Sequence, residues 1–232
     1  MQIFGKALAI REKVLGEEHP DTALSLNSIG WVYKKQDDYK KAMEYLNKAL
    51  TIRVKILGEE HPDTAASYSN IASVNKDRGD YDQALDYHLK SLEIREKSLG
   101  MENPKTASSN DNIGDVYRAQ GDNDKALEYY LKALAIREKV LGTEHPDTAT
   151  SYNNIGWAYR GKDDFATALD YYNKAYHIRK SKLGEKHPDT EDSLECINDV
   201  KEAMNSTTHS IKGLFHRLFG RFLKQKASLH DT

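Results

Sequence analysis

The chain has 232 residues, of which 38% are hydrophobic and 30% are charged, and this length and composition allow it to bury a sizeable core. No stretch approaches the roughly 18 apolar residues needed to span a bilayer, and the N-terminus lacks an apolar signal core. A single cysteine, Cys196, excludes an internal disulfide framework, so we expect a reducing, cytoplasmic location.

The formal net charge of −2 conceals an uneven distribution along the chain. Residues 206–232 carry five Lys or Arg against one acid, whereas residues 1–205 carry 29 basic and 35 acidic side chains. The acidic region argues against specific binding of nucleic acid, because nucleic-acid affinity depends on basic contacts to phosphate. The basic tail is therefore a separate element.

The first predicted element, residues 1–18, corresponds to the second half of a 42-residue unit that recurs along the chain. Phe4 and Ala7 match positions of the second helix of that unit, helix B, so we expect an incomplete N-terminal repeat that lacks its first helix, helix A. Phe4, Leu8 and Ile10 need to be buried, and terminal repeats normally carry a polar outer face. This open helix predicts self-association, or an N-terminal segment that covers it.

Residues 19–205 form the second predicted element, an array with a fixed period. The tetrapeptide His-Pro-Asp-Thr begins at His19, His61, His145 and His187, and Asn103-Pro-Lys-Thr fills the remaining gap. A period of 42 residues without insertion or deletion is the signature of a stacked-repeat solenoid. Such a chain presents an extended surface instead of enclosing an active site.

The fourth unit shows the pattern of helix A. Pro146 suits the first turn of a helix, and Asp147 or Thr148 can cap its exposed amides, so we expect a helix over residues 146–161. Gly156 has no side chain at the point where a partner helix can approach closely. Helix A is therefore expected to pack tightly against its neighbour.

Helix B follows after the polar turn 162–164 of the same unit. From Phe165 to Leu183, apolar residues recur every three or four positions, which is typical of a helix with one buried face. Gly184 follows and supplies the left-handed conformation that ends many helices. Each unit is thus predicted to be a helical hairpin.

The sequence Leu-x-x-Ile-Gly-x-Val-Tyr of residues 26–33 resembles the tetratricopeptide repeat, and residues 133–148 resemble the 42-residue repeats of kinesin light chains. The resemblance implies an all-α fold, a right-handed α-solenoid of tetratricopeptide hairpins, acting as a non-catalytic adaptor that binds peptides. No heptad coiled coil precedes the repeats, so the chain does not match a complete kinesin light chain.

The same resemblance implies that helix A lines a concave groove, where equivalent residues of successive units form rows. A basic row holds Lys34, Lys76, Arg118 and Arg160, and a tryptophan row holds Trp31 and Trp157 with Ser73 and Asp115 between them. Two amide rows hold Asn70, Asn112 and Asn154 with Ser28, and Asn27 and Asn153 with Ser69 and Asp111. We expect the asparagine, basic and tryptophan members to bind an extended peptide, acidic and with an aromatic anchor.

Other interpretations of these rows remain open. The basic residues also complement the dipoles at the helix ends, and the tryptophans also suit packing between helices. Ser28 and Asp111 depart from the paired-asparagine pattern of the family, and Asp115 puts an acid into the middle of the groove. The Lys/Asn/Arg pattern of the tetratricopeptide clamp for C-terminal carboxylates is not reproduced.

No catalytic, metal or cofactor motif stands out. The repeated histidines lie in equivalent loops one repeat apart, whereas zinc requires ligands about 2 Å from a single ion and packed helices lie about 8–10 Å apart. No glycine-rich phosphate loop, nucleophile elbow or His-Glu-x-x-His occurs. Cys196 falls at a packing position of the last helix A, which predicts a buried structural thiol. We therefore expect no enzyme activity and no cofactor.

The third predicted element is the basic amphipathic tail, residues 206–232. Its apolar stripe comprises Ile211, Leu214, Phe215, Leu218, Phe219 and Phe222, and its opposite face carries Lys and Arg. Three interpretations remain open: a helix that closes the solenoid, a membrane-surface helix attracted to anionic lipid, and a segment that docks on a partner or in the groove of the protein itself.

Overall fold

The computed structural model describes residues 2–206, and in this part of the chain the regular structure is entirely α-helical. The predicted apolar stripe of residues 211–222 lies outside the described residues. The helices are α1 (Gln2–Leu15), α2 (Pro20–Lys35), α3 (Tyr39–Leu57), α4 (Pro62–Arg78), α5 (Tyr81–Leu99), α6 (Pro104–Ala119), α7 (Asn123–Leu141), α8 (Pro146–Gly161), α9 (Phe165–Leu183) and α10 (188–206).

The helices stack as consecutive hairpins, which confirms the predicted all-α repeat solenoid. The bounds of α8 and α9 coincide with those expected from the sequence. Each even-numbered helix from α2 to α8 is a helix A that packs on the following helix B and on the preceding one. The A helices also contact each other directly, α4 with α6 and α6 with α8, so their equivalent residues form continuous rows.

Each helix A begins with a side-chain cap supplied by the first residue of the tetrapeptide. The Nδ1 atom of His145 accepts a hydrogen bond from the backbone N–H of Asp147 at 3.1 Å, and Asn103 Oδ1 accepts the equivalent bond from Lys105 at 2.9 Å. The expectation that Asp147 or Thr148 caps α8 is therefore wrong. Asparagine can replace histidine here because either side chain presents an acceptor to the same amide.

The threonine of the tetrapeptide instead ties the helix to the preceding turn. Thr148 Oγ1 donates to the carbonyl of Gly142 at 2.7 Å, and Thr22, Thr64 and Thr106 make the same bond to their glycines. The glycine that ends α9, Gly184, has φ 92° and ψ 163°. Its positive φ agrees with the prediction, but its ψ lies outside the left-handed helical region, in a conformation open almost only to glycine.

Glycines inside helix A allow the close helix contact that the sequence predicts. A Cβ atom added at Gly156 would lie 2.6 Å from the ring of Tyr172, and one at Gly114 would lie 2.6 Å from the ring of Tyr130. Both tyrosines are fully buried. The missing side chain therefore makes room for an aromatic ring from helix B.

An arginine in every helix B connects each unit to the next one, an arrangement that the sequence pattern does not predict. Arg53, Arg137 and Arg179 are buried, whereas Arg11 and Arg95 are half-buried. Each guanidinium donates to the hydroxyl of a serine in the following helix A. The pairs are Arg11–Ser25 at 2.6 Å, Arg53–Ser67 at 2.8 Å, Arg95–Ser109 at 2.7 Å, Arg137–Ser151 at 2.6 Å and Arg179–Ser193 at 2.7 Å. Burial strengthens these bonds and makes either partner costly to leave unpaired.

The first and last described helices expose positions that internal units bury. Phe4 in α1 is 41% exposed, whereas the equivalent Tyr172 is fully buried. In α10, Ile197 and Val200 are buried as expected, but Leu194 is 42% exposed. Helix α10 also includes Ser206, which the sequence assigns to the tail.

Cys196 is buried in α10, in agreement with the prediction of a structural thiol. Burial raises its pKa to about 12, so the side chain is a neutral thiol and not a nucleophilic thiolate. No helix within residues 2–206 combines the length and apolarity required to cross a membrane.

Candidate functional site

The predicted binding residues all lie on α2, α4, α6 and α8. Contact between successive A helices brings the rows together as one surface. We call the part of this surface formed by Trp31, Lys34, Lys76, Arg118, Trp157 and Arg160 the trough. The structure shows how the side chains of each row are held.

The first amide row connects neighbouring A helices. The Nδ2 atoms of Asn70, Asn112 and Asn154 each donate to a residue of the preceding helix A, at 2.7, 3.1 and 3.2 Å; the acceptors are Asn27, Ser69 and Asp111. Each of these amides has a second hydrogen and an oxygen with further capacity for a ligand. The recurrence of asparagine in these helices thus has a structural cause.

Asn153, which belongs to the second amide row, lies inside the stack. It is 5% exposed. Its amide nitrogen donates to Asp192 at 3.3 Å, and its oxygen accepts from Ser193 at 3.5 Å. These contacts lead from α8 to α10, and the burial leaves little surface for a ligand.

Asp111 is also buried, and it does not place an acid in the trough. Its carboxylate lies 2.5 Å from Arg137 NH1 and accepts from Asn154. Burial raises the pKa of Asp111 to about 6, against the opposing effects of Arg137 and Asn154, and the charge of Asp115 adds to the increase. This carboxyl is therefore part of the packing between units.

The raised pKa of Asp111 predicts a specific dependence of stability on pH. Because the folded state binds this proton more tightly than the unfolded state, the contribution is complete below pH 4 and is lost as the pH rises through about 6. Asp111→Asn introduces the residue that the first and fourth units have at this position, Asn27 and Asn153. In this variant the pH-dependent contribution of Asp111 to the stability should disappear. Urea denaturation between pH 4 and 7 measures this contribution as the difference in the free energy of unfolding between wild type and the variant, and this difference should fall as the pH rises. A difference that stays constant or rises with pH would contradict the assignment.

Trp157 lies between two arginines of the trough. The guanidinium carbon of Arg160 is 5.1 Å from the Trp157 ring centroid and that of Arg118 is 5.6 Å away, both within the range of a cation–π interaction. Tyr172 packs edge-on against the same indole at 6.2 Å. The tryptophan thus holds two positive charges from neighbouring units close together.

Two acids partly balance these arginines. Arg160 pairs with Asp199 of α10 at 3.1 Å, and Arg118 Nε lies 4.0 Å from Asp115. Asp115 also accepts a short hydrogen bond from Tyr130, at 2.7 Å. The Arg118 side chain is 40% exposed and only loosely paired, so it is open to a carboxylate from outside.

The other end of the trough has a different character. Lys34 Nζ lies 4.6 Å from the ring centroid of Trp31, and the same ammonium group pairs with Asp77 at 2.9 Å. A cleft of about 440 Å³ opens beside this indole and includes Phe4 of α1 and Val32. Phe4 in this cleft was not expected as a site residue, since its position in the sequence indicates only a core role.

Lys76 and His88 complete the middle of the array. Lys76 makes no ion pair with any residue in 2–206. His88 is buried, and burial lowers the pKa of its imidazole to about 3, with the positive charge of Lys76 contributing. The ring is neutral and lies 3.5 Å from Ser69 Oγ. Within the described part of the chain, no cluster of three or more His, Cys, Asp or Glu has the arrangement of a metal site.

Comparison with known sequences identifies the repeat. The family profile described as tetratricopeptide repeat matches residues 2–55, 44–97 and 105–181, which together cover most of the chain. No curated protein sequence gives a significant match.

Solved structures share the fold at low sequence identity. BtubC (BKLC) from P. vanneervenii is 21% identical, with a TM-score of 0.72 over 87% of this chain and 84% of that one. A putative kinesin light chain with nearly identical TPR-like repeats from Podosopora anserina is 24% identical, with a TM-score of 0.66 over 84% and 93%. The apo form of RapI is 24% identical, with a TM-score of 0.63 over 87% and 76%.

Proposed function

Because the chain belongs to the tetratricopeptide repeat family, whose members bind protein partners, we propose that its trough binds an acidic peptide segment with an aromatic anchor. The protein is then a non-catalytic adaptor. The observation that carries the proposal is Trp157, which holds Arg118 and Arg160 together at one end of the trough.

The arginine pair is suited to an acidic side chain. Guanidinium groups bind carboxylates through two parallel hydrogen bonds, and a pair held by an indole loses little side-chain entropy on binding. A carboxylate of the peptide would replace Asp115 as the partner of Arg118. Arg118 Nε lies 4.0 Å from Asp115, so most of the hydrogen-bond donors of the guanidinium remain available to the peptide. Asp199 is a stronger competitor for Arg160.

The cleft beside Trp31 is suited to the aromatic anchor. Its walls include Phe4, Trp31 and Val32, and its volume of about 440 Å³ can hold a large side chain. Trp31 and Trp157 lie three units apart, so packed helices place them roughly 30 Å from each other. An extended peptide covers that distance in about nine residues. Asn70, Asn112 and Lys76 lie along the path between the two ends.

The ligand contacts proposed are therefore Trp31, Lys34, Asn70, Lys76, Asn112, Asn154, Arg118, Trp157 and Arg160. Asn27 serves chiefly as the acceptor of the Asn70 amide, and Asn153 is assigned to the contact between α8 and α10.

A peptide library tests the proposal, with an aromatic residue placed at increasing distances from a pair of acids. The wild-type chain should enrich peptides in which about nine residues separate the two features. Arg118→Gln and Arg160→Gln should each weaken binding of the enriched peptides about tenfold, the cost of one charge-assisted contact. Lys132→Gln, which removes a positive charge from helix α7, is the matched control and should bind like wild type. Equal enrichment by wild type and both arginine variants would refute the trough as the binding site.

A further inference from the structure

A second surface lies on the opposite side of the hairpins, between α1 and α3. Here an open cleft of about 760 Å³ has a floor made of Leu8, Leu26, Tyr45 and Ile52. Leu26 belongs to helix A but reaches through to this side, where it packs with Leu8, Tyr45 and Ile52. None of these residues belongs to the trough.

The repeats differ at the position of Leu26, which contributes to the floor of the cleft. Tyr68 and Tyr152 occupy the place of Leu26 in the second and fourth units. In the fourth unit, Tyr152 stands against Lys174 and Ile178, its hydroxyl donates to Glu138 at 2.6 Å, and the remaining cleft is about 370 Å³. Leucine leaves the equivalent space open in the first unit.

The rim of the cleft is strongly acidic. Glu12, Glu17, Glu18 and Glu44 line it, against the single base Lys48. Lys48 pairs with Glu44, and Lys55 pairs with Glu18. Glu12 and Glu17 form no ion pair with any residue from 2 to 206, so the rim keeps unbalanced negative charge.

The third unit provides a comparison, because Asn110 stands at the position of Leu26. Its cleft of about 400 Å³ includes Glu96 and Glu102 but also Lys132 and Lys139, and it is therefore balanced in charge. Acidic charge and an apolar floor thus coincide only in the first of these two clefts.

We propose that the cleft between α1 and α3 binds the basic amphipathic segment 211–222 of a second copy of this chain. The segment has the complementary composition: six large apolar residues at helical spacing, with Lys212, Arg217 and Arg221 on the other face. Residues 206–232 carry five basic side chains and one acid, opposite a rim of four glutamates and one lysine. Apolar burial provides the affinity, and the charges select the cleft.

The segment that fills the cleft comes from a second molecule, because segment 211–222 of the same chain begins too far from the cleft. The segment follows α10, which lies four helix-A steps from α2, a distance of roughly 32–40 Å. Residues 207–210 span at most about 14 Å when fully extended. A contact between the C-terminal segment of one copy and the N-terminal cleft of the next is heterologous, so it generates a ring or an open chain of molecules.

A labelled synthetic peptide of residues 209–226 tests this directly when titrated against full-length protein by fluorescence anisotropy. It should bind wild type and weaken with added salt, because exposed charges are screened. Leu26→Tyr should reduce its affinity at least about tenfold, since the ring fills the cleft and its hydroxyl reaches Glu12 as Tyr152 reaches Glu138. The second and fourth units already have tyrosine at this position, Tyr68 and Tyr152, so the variant should fold normally.

Asn110→Tyr is the matched control, which fills the cleft of the third unit and should leave peptide binding unchanged. In sedimentation velocity, wild type should associate with increasing concentration, whereas Leu26→Tyr and Phe215→Asp should remain monomeric. The proposal is overturned if Leu26→Tyr binds the peptide like wild type. It is equally overturned if the peptide binds vesicles of phosphatidylserine and phosphatidylcholine but not the protein, or if wild type is monomeric throughout.

Discussion

Replacement of Arg137 by alanine should lower the free energy of unfolding by about 3–5 kcal/mol, because it leaves the buried carboxylate of Asp111 without its positive partner. The two side chains are 7% and 10% exposed and lie 2.5 Å apart, so water cannot take the place of the guanidinium. The substitution also removes the bond to Ser151 that joins the third and fourth units. Urea denaturation followed by circular dichroism measures the loss, and hydrogen exchange should place it in α6, α7 and α8.

Arg53→Ala is the matched control for this prediction. Arg53 is equally buried and bonds Ser67 and the carbonyl of Asp63, but its guanidinium has no buried carboxylate to balance. Its removal should cost only about 1–3 kcal/mol. The double variant Arg137→Ala, Asp111→Asn should recover at least about 1 kcal/mol of the single-variant loss, because the charge is then gone from both sides. Equal losses for Arg53 and Arg137, with no recovery in the double variant, would contradict this account.

The substitution Asn75→Tyr should stabilise the protein by about 2 kcal/mol, combining relief of a buried unpaired amide with a new aromatic contact. Asn75 is completely buried, and neither its oxygen nor its nitrogen has a hydrogen-bond partner. The other units have tyrosine here, stacked on a tyrosine of helix B at 5.5–5.7 Å; the pairs are Tyr33–Tyr45, Tyr117–Tyr129 and Tyr159–Tyr171. Tyr87 is the available partner in the second unit.

The fourth unit indicates that the new ring fits. There Tyr171 contacts both Tyr159 and Tyr152, and in the second unit Tyr68 is already stacked on Tyr87. The reverse change, Tyr159→Asn, should destabilise by a similar amount and is the control for helix and surface effects. Thermal unfolding and urea titration measure both. A loss of stability in Asn75→Tyr would mean that the neighbouring side chains close the space that tyrosine requires.

The fold was predictable from the sequence because the repeat supplies the same evidence several times. The proline, the polar turn and the glycine mark helix ends in each unit, and the structure places the ends of α8 and α9 at the predicted residues. Gly156 was interpretable for the same reason, since a small residue at a fixed helical position indicates close approach. Such features depend on local geometry that a sequence pattern encodes.

The directions in which the polar side chains point were harder to predict from the sequence. The tetrapeptide contains three residues that can cap a helix, and only the backbone angles of His145 decide which one faces the amide. Asp111 and Asn112 are adjacent in sequence, yet the former turns into the stack, and the sequence does not show that Arg137 lies there. These outcomes depend on how one unit stacks on the next. The acidic cleft between α1 and α3 could not be predicted for the same reason.

The bonds between units have a consequence for how such genes change length. Arg–Ser partners are 14 residues apart, Thr–Gly partners are six apart, and the amide bonds between A helices join residues 43 apart. Unequal recombination that removes one 42-residue period would therefore rejoin equivalent donors and acceptors across the new junction. The folded chain would lose little besides length, but Trp31 and Trp157 would lie one step closer. Variation in copy number can thus alter which ligand lengths fit without requiring a single compensating substitution.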